Sequence, residues 1–220
     1  GDTLTVTGAS TTSKSVVTGS ISTGAGADTL TLTNATIGGA GQTISLGTDS
    51  NSLDGNDALS ASGTAITATI TGGSGADSLS LSAASTLSGN INLGIDGDIS
   101  TSSNADSLSL NASNVTGNVT TGSGADSVSV LNTSKITGTV TLGSNTDSFD
   151  GADTLTVTGA SSSSKSEISG SITTGAGADI LTLTNATIGG AGQTISLGTD
   201  TNGLEAVSYT HLTLPTTPYV

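Results

Sequence analysis

Aspartate and glycine carry what chemistry this chain offers, and they recur together. Gly72–Ser80 reads G-G-S-G-A-D-S-L-S, with close copies at Thr23–Thr31, Thr121–Ser129 and Thr174–Thr182. Plainer versions, with the aspartate but fewer glycines, surround Asp2, Asp57, Asp106 and Asp153. Glycines that adopt positive φ let backbone carbonyls converge beside a carboxylate, and such a set of hard oxygen donors suits Ca2+. The candidate ligands are Gly24, Gly26 and Asp28; Gly72, Gly73, Gly75 and Asp77; Gly122, Gly124 and Asp126; and Gly175, Gly177 and Asp179. Asp57, Asp106 and Asp153 complete the set. The plain alternative is that Asp, Asn and Gly are what ordinary turns use.

The spacing of these aspartates shows what must position them. Successive members from Asp2 to Asp179 lie 26, 29, 20, 29, 20, 27 and 26 residues apart. The glycine-rich turns recur every 49, 49 and 53 residues, so the larger unit is near the period of solenoids and arrays. A longer echo lies above it: Leu32–Asp49 returns letter for letter as Leu183–Asp200, an offset of 151. Repeat arrays tolerate such duplication because each unit touches only its neighbours.

Within each unit the pattern has period two. The second and fourth residues after the aspartate are apolar, as in Leu30/Leu32, Leu79/Leu81, Leu108/Leu110 and Val128/Val130, with Ser or Thr between them. That is a strand with one face in and one out. A second apolar strand follows, as in Ile44/Leu46, Ile91/Leu93, Val140/Leu142 and Ile195/Leu197. The pattern predicts an all-β chain, a parallel β-solenoid of about eight coils of 20–29 residues with two strands per coil, filling residues 1–206 as one array. An immunoglobulin-like sandwich needs bulky core residues, and only Phe149 is aromatic before residue 207. Stacked in register, the carboxylates would sit about 5 Å apart and repel by roughly 1–3 kcal/mol per pair. Ca2+ is the expected counter-charge.

Composition narrows the function classes. The formal net charge is −14, with three lysines and no arginine, which excludes charge-driven binding to nucleic acid. No apolar run is long enough to span a bilayer. Before residue 207 there is no His, Cys or Arg, so no enzyme is expected. Mixed Asp/Asn/Gly loops at Asp49–Asp57, Asp96–Asp98 and Asp147–Asp153 are further cation candidates. Lys14, Lys135 and Lys165 read as solvated strand edges. The outward Thr ladder (Thr3/Thr5, Thr29/Thr31, Thr154/Thr156) offers an alternative, a face for ice or glycan, although serine replaces threonine in the middle coils.

Three resemblances add to this. Val207–Thr216 (V-S-Y-T-H-L-T-L-P-T) resembles a translated sequencing adaptor, so 207–220 is expected to be a non-native tail and the rest a fragment of a longer protein. Gly72–Ser80 resembles the calcium-binding nonapeptide G-G-x-G-x-D-x-U-x of the RTX (repeats-in-toxin) proteins. The resemblance implies carbonyl ligands from Gly72, Gly73 and Gly75, a carboxylate from Asp77, an inward Leu79 and a Ca2+-dependent roll. RTX nonapeptides run back to back, whereas here one motif falls in each coil, and threonine replaces the first glycine in three of the four copies. The Ser/Thr-rich strand repeats as a whole resemble large bacterial adhesins and S-layer-like surface proteins. That likeness implies an extracellular or cell-surface, non-enzymatic stalk, or an S-layer tile. Its partners would be neighbouring repeats, surface glycans or other copies of itself.

Overall fold

The computed structural model describes residues 1–47, 54–94, 104–143 and 150–198. Asp96–Asp98, the 207–220 tail and the first parts of the other two acidic loops, residues 49–53 and 147–149, lie outside the described residues. The chain is all-β and winds as a parallel solenoid. Eight strands form the first sheet, in simple sequence order: Thr3–Thr7, Thr29–Thr33, Ala58–Ser62, Ser78–Ser82, Ser107–Asn111, Ser127–Leu131, Thr154–Thr158 and Ile180–Thr184. Each opens just after an aspartate of the series, so coils 1 to 8 are numbered here from Asp2, Asp28, Asp57, Asp77, Asp106, Asp126, Asp153 and Asp179.

Pairing between coils is parallel and like-on-like. Leu79 faces Leu108 and Leu81 faces Leu110; Val128 and Val130 face Leu155 and Val157. The inward leucines and valines are sealed: Leu30, Leu32, Leu110, Val128 and Val130 are all 0% exposed. Ser and Thr at alternate positions face out, as the period of two requires. Register is set by this alternation, because a slip by one residue would put hydroxyls into a core only one side chain thick.

The far side of the coil departs from the expected single strand. It carries two parallel ladders of short strands, such as Thr86–Leu87 with Asn114–Val115, and Ile91–Asn92 with Val119–Thr120. The break between them is a column of glycines. A Cβ at Gly117 would lie 2.0 Å from the Gly89 carbonyl oxygen, and one at Gly170 would lie 2.2 Å from that of Gly138. Coil 3 has Ala68 beneath Gly89 instead of a glycine, and there one unbroken strand, Ala65–Thr71, joins both ladders. From coil 4 onward this tight bend divides the second strand, whereas coil 2 keeps one strand, Ala35–Ser45, with a register irregularity between Gly38 and Thr43.

The corner after the first sheet is stitched by buried hydroxyls. Thr64, Ser85, Ser113, Ser134 and Ser166 are at most 1% exposed. The Thr64 amide donates to Ser85 Oγ at 3.1 Å, and the Ser113 amide to Ser134 Oγ at 3.0 Å. Outside, Lys135 pairs with Glu167 of the next coil at 2.9 Å. It is thus partnered rather than simply solvated, a contact worth little at this exposure.

Leu110→Ala should lower unfolding free energy by about 2–5 kcal/mol in urea titration, since the site has little room to collapse. The outward neighbour Ser109→Ala should change it by less than about 0.5 kcal/mol.

Candidate functional site: the aspartate column

Every aspartate of the series reaches the same corner of its coil, where the chain enters the first sheet. From Asp28 to Asp179 these side chains are at most 1% exposed. They lie inside the wall of the solenoid, beneath the turns.

Each carboxylate accepts the backbone N–H of the aspartate one coil earlier. The amide of Asp28 donates to Asp57 Oδ1 at 2.7 Å, Asp57 to Asp77 at 2.8 Å, and Asp77 to Asp106 at 2.7 Å. The series continues from Asp106 to Asp126 at 2.8 Å, Asp126 to Asp153 at 2.7 Å, and Asp153 to Asp179 at 2.9 Å. The Asp2 amide makes the same bond to Asp28. The aspartate carbonyls accept in turn, for example Asp77 O from the Ser107 amide at 2.8 Å and Asp106 O from the Ser127 amide at 2.9 Å. From Asp2 to Asp153 each aspartate is thus tied to the next coil through both its N–H and its C=O. A side chain two atoms longer than alanine's lets the column continue the ladder where the backbone turns away from the sheet.

The second oxygen is a different matter. Oδ2 of Asp28, Asp57, Asp77, Asp106, Asp126 and Asp153 is buried with no hydrogen-bond partner. Burial disfavours the charged form and pushes Asp57, Asp77, Asp106, Asp126 and Asp153 up. Asp57 rises to about 6 and Asp77 to about 7. Asp106 and Asp153 rise to about 9, and Asp126 also moves up. For Asp57, Asp77, Asp106 and Asp153 the amide bond opposes the rise, and neighbouring carboxylates add to it. At neutral pH the column is therefore a mixture of acids and carboxylates, and protons relieve part of the repulsion between coils.

Within the glycine-rich turns, what the residue five before the aspartate offers Oδ2 varies. At Gly72 a Cβ would lie 2.2 Å from Asp77 Oδ2 and 2.3 Å from the Leu93 carbonyl oxygen, so this position demands glycine. Where the sequence has threonine, the hydroxyl acts as a donor. Thr174 gives its hydrogen to Asp179 Oδ2 at 2.5 Å, whereas Thr121 gives its own to the Leu142 carbonyl at 2.8 Å. The departure from the RTX pattern thus puts a hydroxyl beside the carboxylate at Asp179.

All the predicted turn glycines except Gly72 adopt the expected backbone. Gly24, Gly26, Gly73, Gly75, Gly122, Gly124, Gly175 and Gly177 all have φ between 97° and 133°. Their packing is as tight as their conformation: a Cβ at Gly75 would lie 2.3 Å from the Gly55 carbonyl oxygen. These turns also present amides to acids of the neighbouring long loops. Gly26 N–H donates to Asp54 Oδ1 at 3.1 Å and Ala176 N–H to Asp150 Oδ2 at 2.7 Å. Asp54 and Asp150 were not singled out by the repeat pattern, and neither were the corner hydroxyls. Their signals were an acid three residues before the column aspartate, and a lone Ser or Thr just ahead of the second apolar run.

The structure brings the predicted aspartates into one column and the predicted glycines into turns beside it. Among the described residues, no three acidic, histidine or cysteine side chains gather to hold a metal. What fits a cation is the row of orphaned Oδ2 atoms, which have the hardness Ca2+ prefers and the basicity to hold a proton. Compared with protein-family models, with curated proteins and with solved structures, the chain matches none.

Asp106→Ala leaves the buried Asp77 amide without an acceptor and should cost about 1–3 kcal/mol. Asp106→Asn keeps an acceptor oxygen and should be milder. The raised pKa values fix the sign for the wild type. Between pH 4 and 9 the folded chain binds more protons than the unfolded one, so stability falls as pH rises through the window and is greatest in acid. Thermal melts across that range check this, and Asp106→Asn should flatten the upper part of the slope. Gly75→Ala should lower the melting temperature by several degrees, while Gly19→Ala, with open space around its Cβ, should leave it nearly unchanged.

Proposed function

We propose that the chain is a structural stalk or spacer of a large secreted or cell-surface bacterial adhesin, without catalytic activity, stiffened by cations along its aspartate column. The observation that carries this reading is continuity. Coil is joined to coil by the first sheet, the aspartate column, the corner hydroxyls and the glycine-lined bend. A rod built this way resists bending because each bend would break several of these contacts at once.

Ca2+ is the proposed occupant at the glycine-rich turns. Asp28, Asp77 and Asp126 would hold it through their unpartnered oxygens, together with carbonyls of Gly24 and Gly26, Gly72, Gly73 and Gly75, and Gly122 and Gly124. Asp179, with Gly175 and Gly177, already receives a hydroxyl hydrogen from Thr174 and is the weaker member. Asp57, Asp106 and Asp153 lack the glycine-rich turn and are left to protons. Bound Ca2+ would supply positive charge to a row of carboxylates that cannot reach water. Because Ca2+ and protons compete for the same oxygens, its effect grows with pH.

The outward Ser/Thr face supports an ice- or glycan-binding role less well. Its first column passes through Thr29, Ala58 and Ser78 and ends on Ile180, so apolar residues interrupt the hydroxyl row.

Melting at pH 8 in Ca2+ and in EDTA tests the cation. A higher melting temperature in Ca2+, with the difference vanishing at pH 4, is the expected result. Equal melting at both pH values assigns the column to protons alone and leaves a metal-free stalk. Single-molecule stretching tests the stalk itself. Coils of 20–29 residues should release one after another, in steps of about 70–100 Å. Extension without resolvable force peaks would contradict a load-bearing role.

A further inference from the structure

Bend stacks on bend along the far side of the solenoid, and coil 2 departs from that pattern. In coils 5 to 7 each bend glycine closes on the carbonyl of the coil before it. A Cβ at Gly138, for example, would lie 2.4 Å from the Gly117 carbonyl oxygen. Nothing fits between such bends. Coil 2 uses more chain: Gly38 is in register with Thr67 and Thr43 with Thr69, so four residues, 39–42, stand opposite the single residue Ala68 of coil 3. Gly38 and Gly41, at φ of 82° and 77°, let the extra chain fold into a flap. A Cβ at Gly41 would meet nothing within 4 Å, so the flap stands clear of the wall.

The flap is held from one side. Ser20 Oγ of coil 1 donates to Gln42 Oε1 at 2.8 Å and accepts the Thr43 amide at 3.1 Å. The same five residues, G-G-A-G-Q, recur at 189–193, where Ser171 makes the same two bonds to Gln193 and Thr194, at 2.8 and 3.1 Å. The tie is therefore written into the repeat. On its other side the flap overhangs coils 3 and 4, and a cleft of about 200 Å3 lies beneath it. Gly89 packs directly on coil 3 there, since its Cβ would lie 2.0 Å from the Ala68 carbonyl oxygen. Thr67, Thr69 and Ser88 bring hydroxyls to the cleft. Among the described residues none of these three hydroxyls has a protein partner. Gln42, its oxygen engaged by Ser20, keeps its side-chain N–H groups to donate.

This lining selects a class of ligand. No charged side chain lines the cleft, so a carboxylate or phosphate finds no partner, and the −14 charge of the chain opposes anions. A cation finds no carboxylate. What the cleft offers is hydroxyls, each both donor and acceptor, beside amide donors. Ile66 is in register with Leu87, which sets Thr67 beside Ser88. Adjacent strands lie about 4.8 Å apart, and Thr69 is about 6.6 Å from Thr67 along its own strand. One hydroxyl-bearing ring spans both intervals. The volume is below the roughly 300–1,000 Å3 of sites that enclose drug-sized molecules, which limits the occupant to one small ring. We propose that this cleft binds a single uncharged sugar residue, held by the Thr67, Thr69 and Ser88 hydroxyls under the flap and by the Gln42 amide. The site is separate from the outward Ser/Thr face of the first sheet, and it depends on neither the calcium nor the stalk reading.

NMR titration of the full chain tests it, with amide shifts followed against the methyl glycosides of glucose, galactose, mannose and N-acetylglucosamine, and against glucuronate as a charged counterpart. At least one uncharged glycoside should shift the amides of residues 39–42, Thr67 and Ser88 in a saturable way, and glucuronate should bind about tenfold more weakly or not at all. Thr67→Val and Ser88→Ala each remove one exposed hydroxyl. Each should weaken binding about two- to tenfold, the worth of one hydrogen bond, with the melting temperature unchanged. Ser109→Ala, on the outward face of the first sheet, should leave the affinity as it was. No saturable shift with any of the four glycosides would overturn the proposal and leave the stalk reading intact. Glucuronate binding as tightly as the neutral sugars, or shifts spread over the first sheet and unmoved by Thr67→Val and Ser88→Ala, would overturn it too.

Discussion

The structure depends on one repeated hydrogen bond, from the amide of each column aspartate to the carboxylate of the next coil's aspartate. It lies where parallel sheets are weakest, at the point where the chain must leave one coil and enter another and the backbone ladder has no partner to offer. A neutral hydroxyl or amide could accept that bond. Aspartate does so with a short side chain whose ionised form makes the stronger bond, but it leaves a second oxygen buried. Two consequences follow from that second oxygen: the rise in pKa and the greater stability expected in acid. The same bond that fixes the register makes the column expensive to ionise.

The fold behaves as a one-dimensional object. Its core is one side chain thick, and each apolar residue is sealed by its counterparts above and below as much as by the opposite wall. The duplicated segment shows this without any mutation. In coil 2, between coils 1 and 3, it is the one strand Ala35–Ser45; in coil 8, paired with coil 7, it is the two fragments Ala186–Ile188 and Ile195–Ser196. Local sequence proposes a coil, and the adjacent coil completes it. Stability and shape therefore belong to pairs of coils, which is why glycine at positions such as 75 and 117 is dictated by a carbonyl in the previous coil and not by its own turn alone.

Much of this was legible in the sequence because stacking in register turns periodicity into position. Leu79 and Leu108 share an offset from their aspartates, so they had to share a column. The eight aspartates, the first sheet and the parallel order followed from the same argument. The divided far side was less visible, because a glycine such as Gly138 looks like any turn glycine until the carbonyl of Gly117 is placed against it. The inward aspartate was missed for a similar reason. Sequence places an aspartate in a turn but does not say which way it faces, and a carboxylate aimed at a ligand looks the same as one aimed at the next amide. Asp54 and Asp150 were hidden by their loops, since their importance lies in contacts with glycine-rich turns in other coils.

Coil is locked to coil by buried, partly protonated carboxylates, an arrangement that suits the spacer role proposed above. The central claim is that the aspartate amides are bonded inside the wall, and amide hydrogen exchange followed by NMR tests it most directly. The Asp77 and Asp106 amides should exchange as slowly as those of Leu79 and Leu108 in the first sheet. Exchange at the rate of an open turn, with the sheet still protected, would contradict the account.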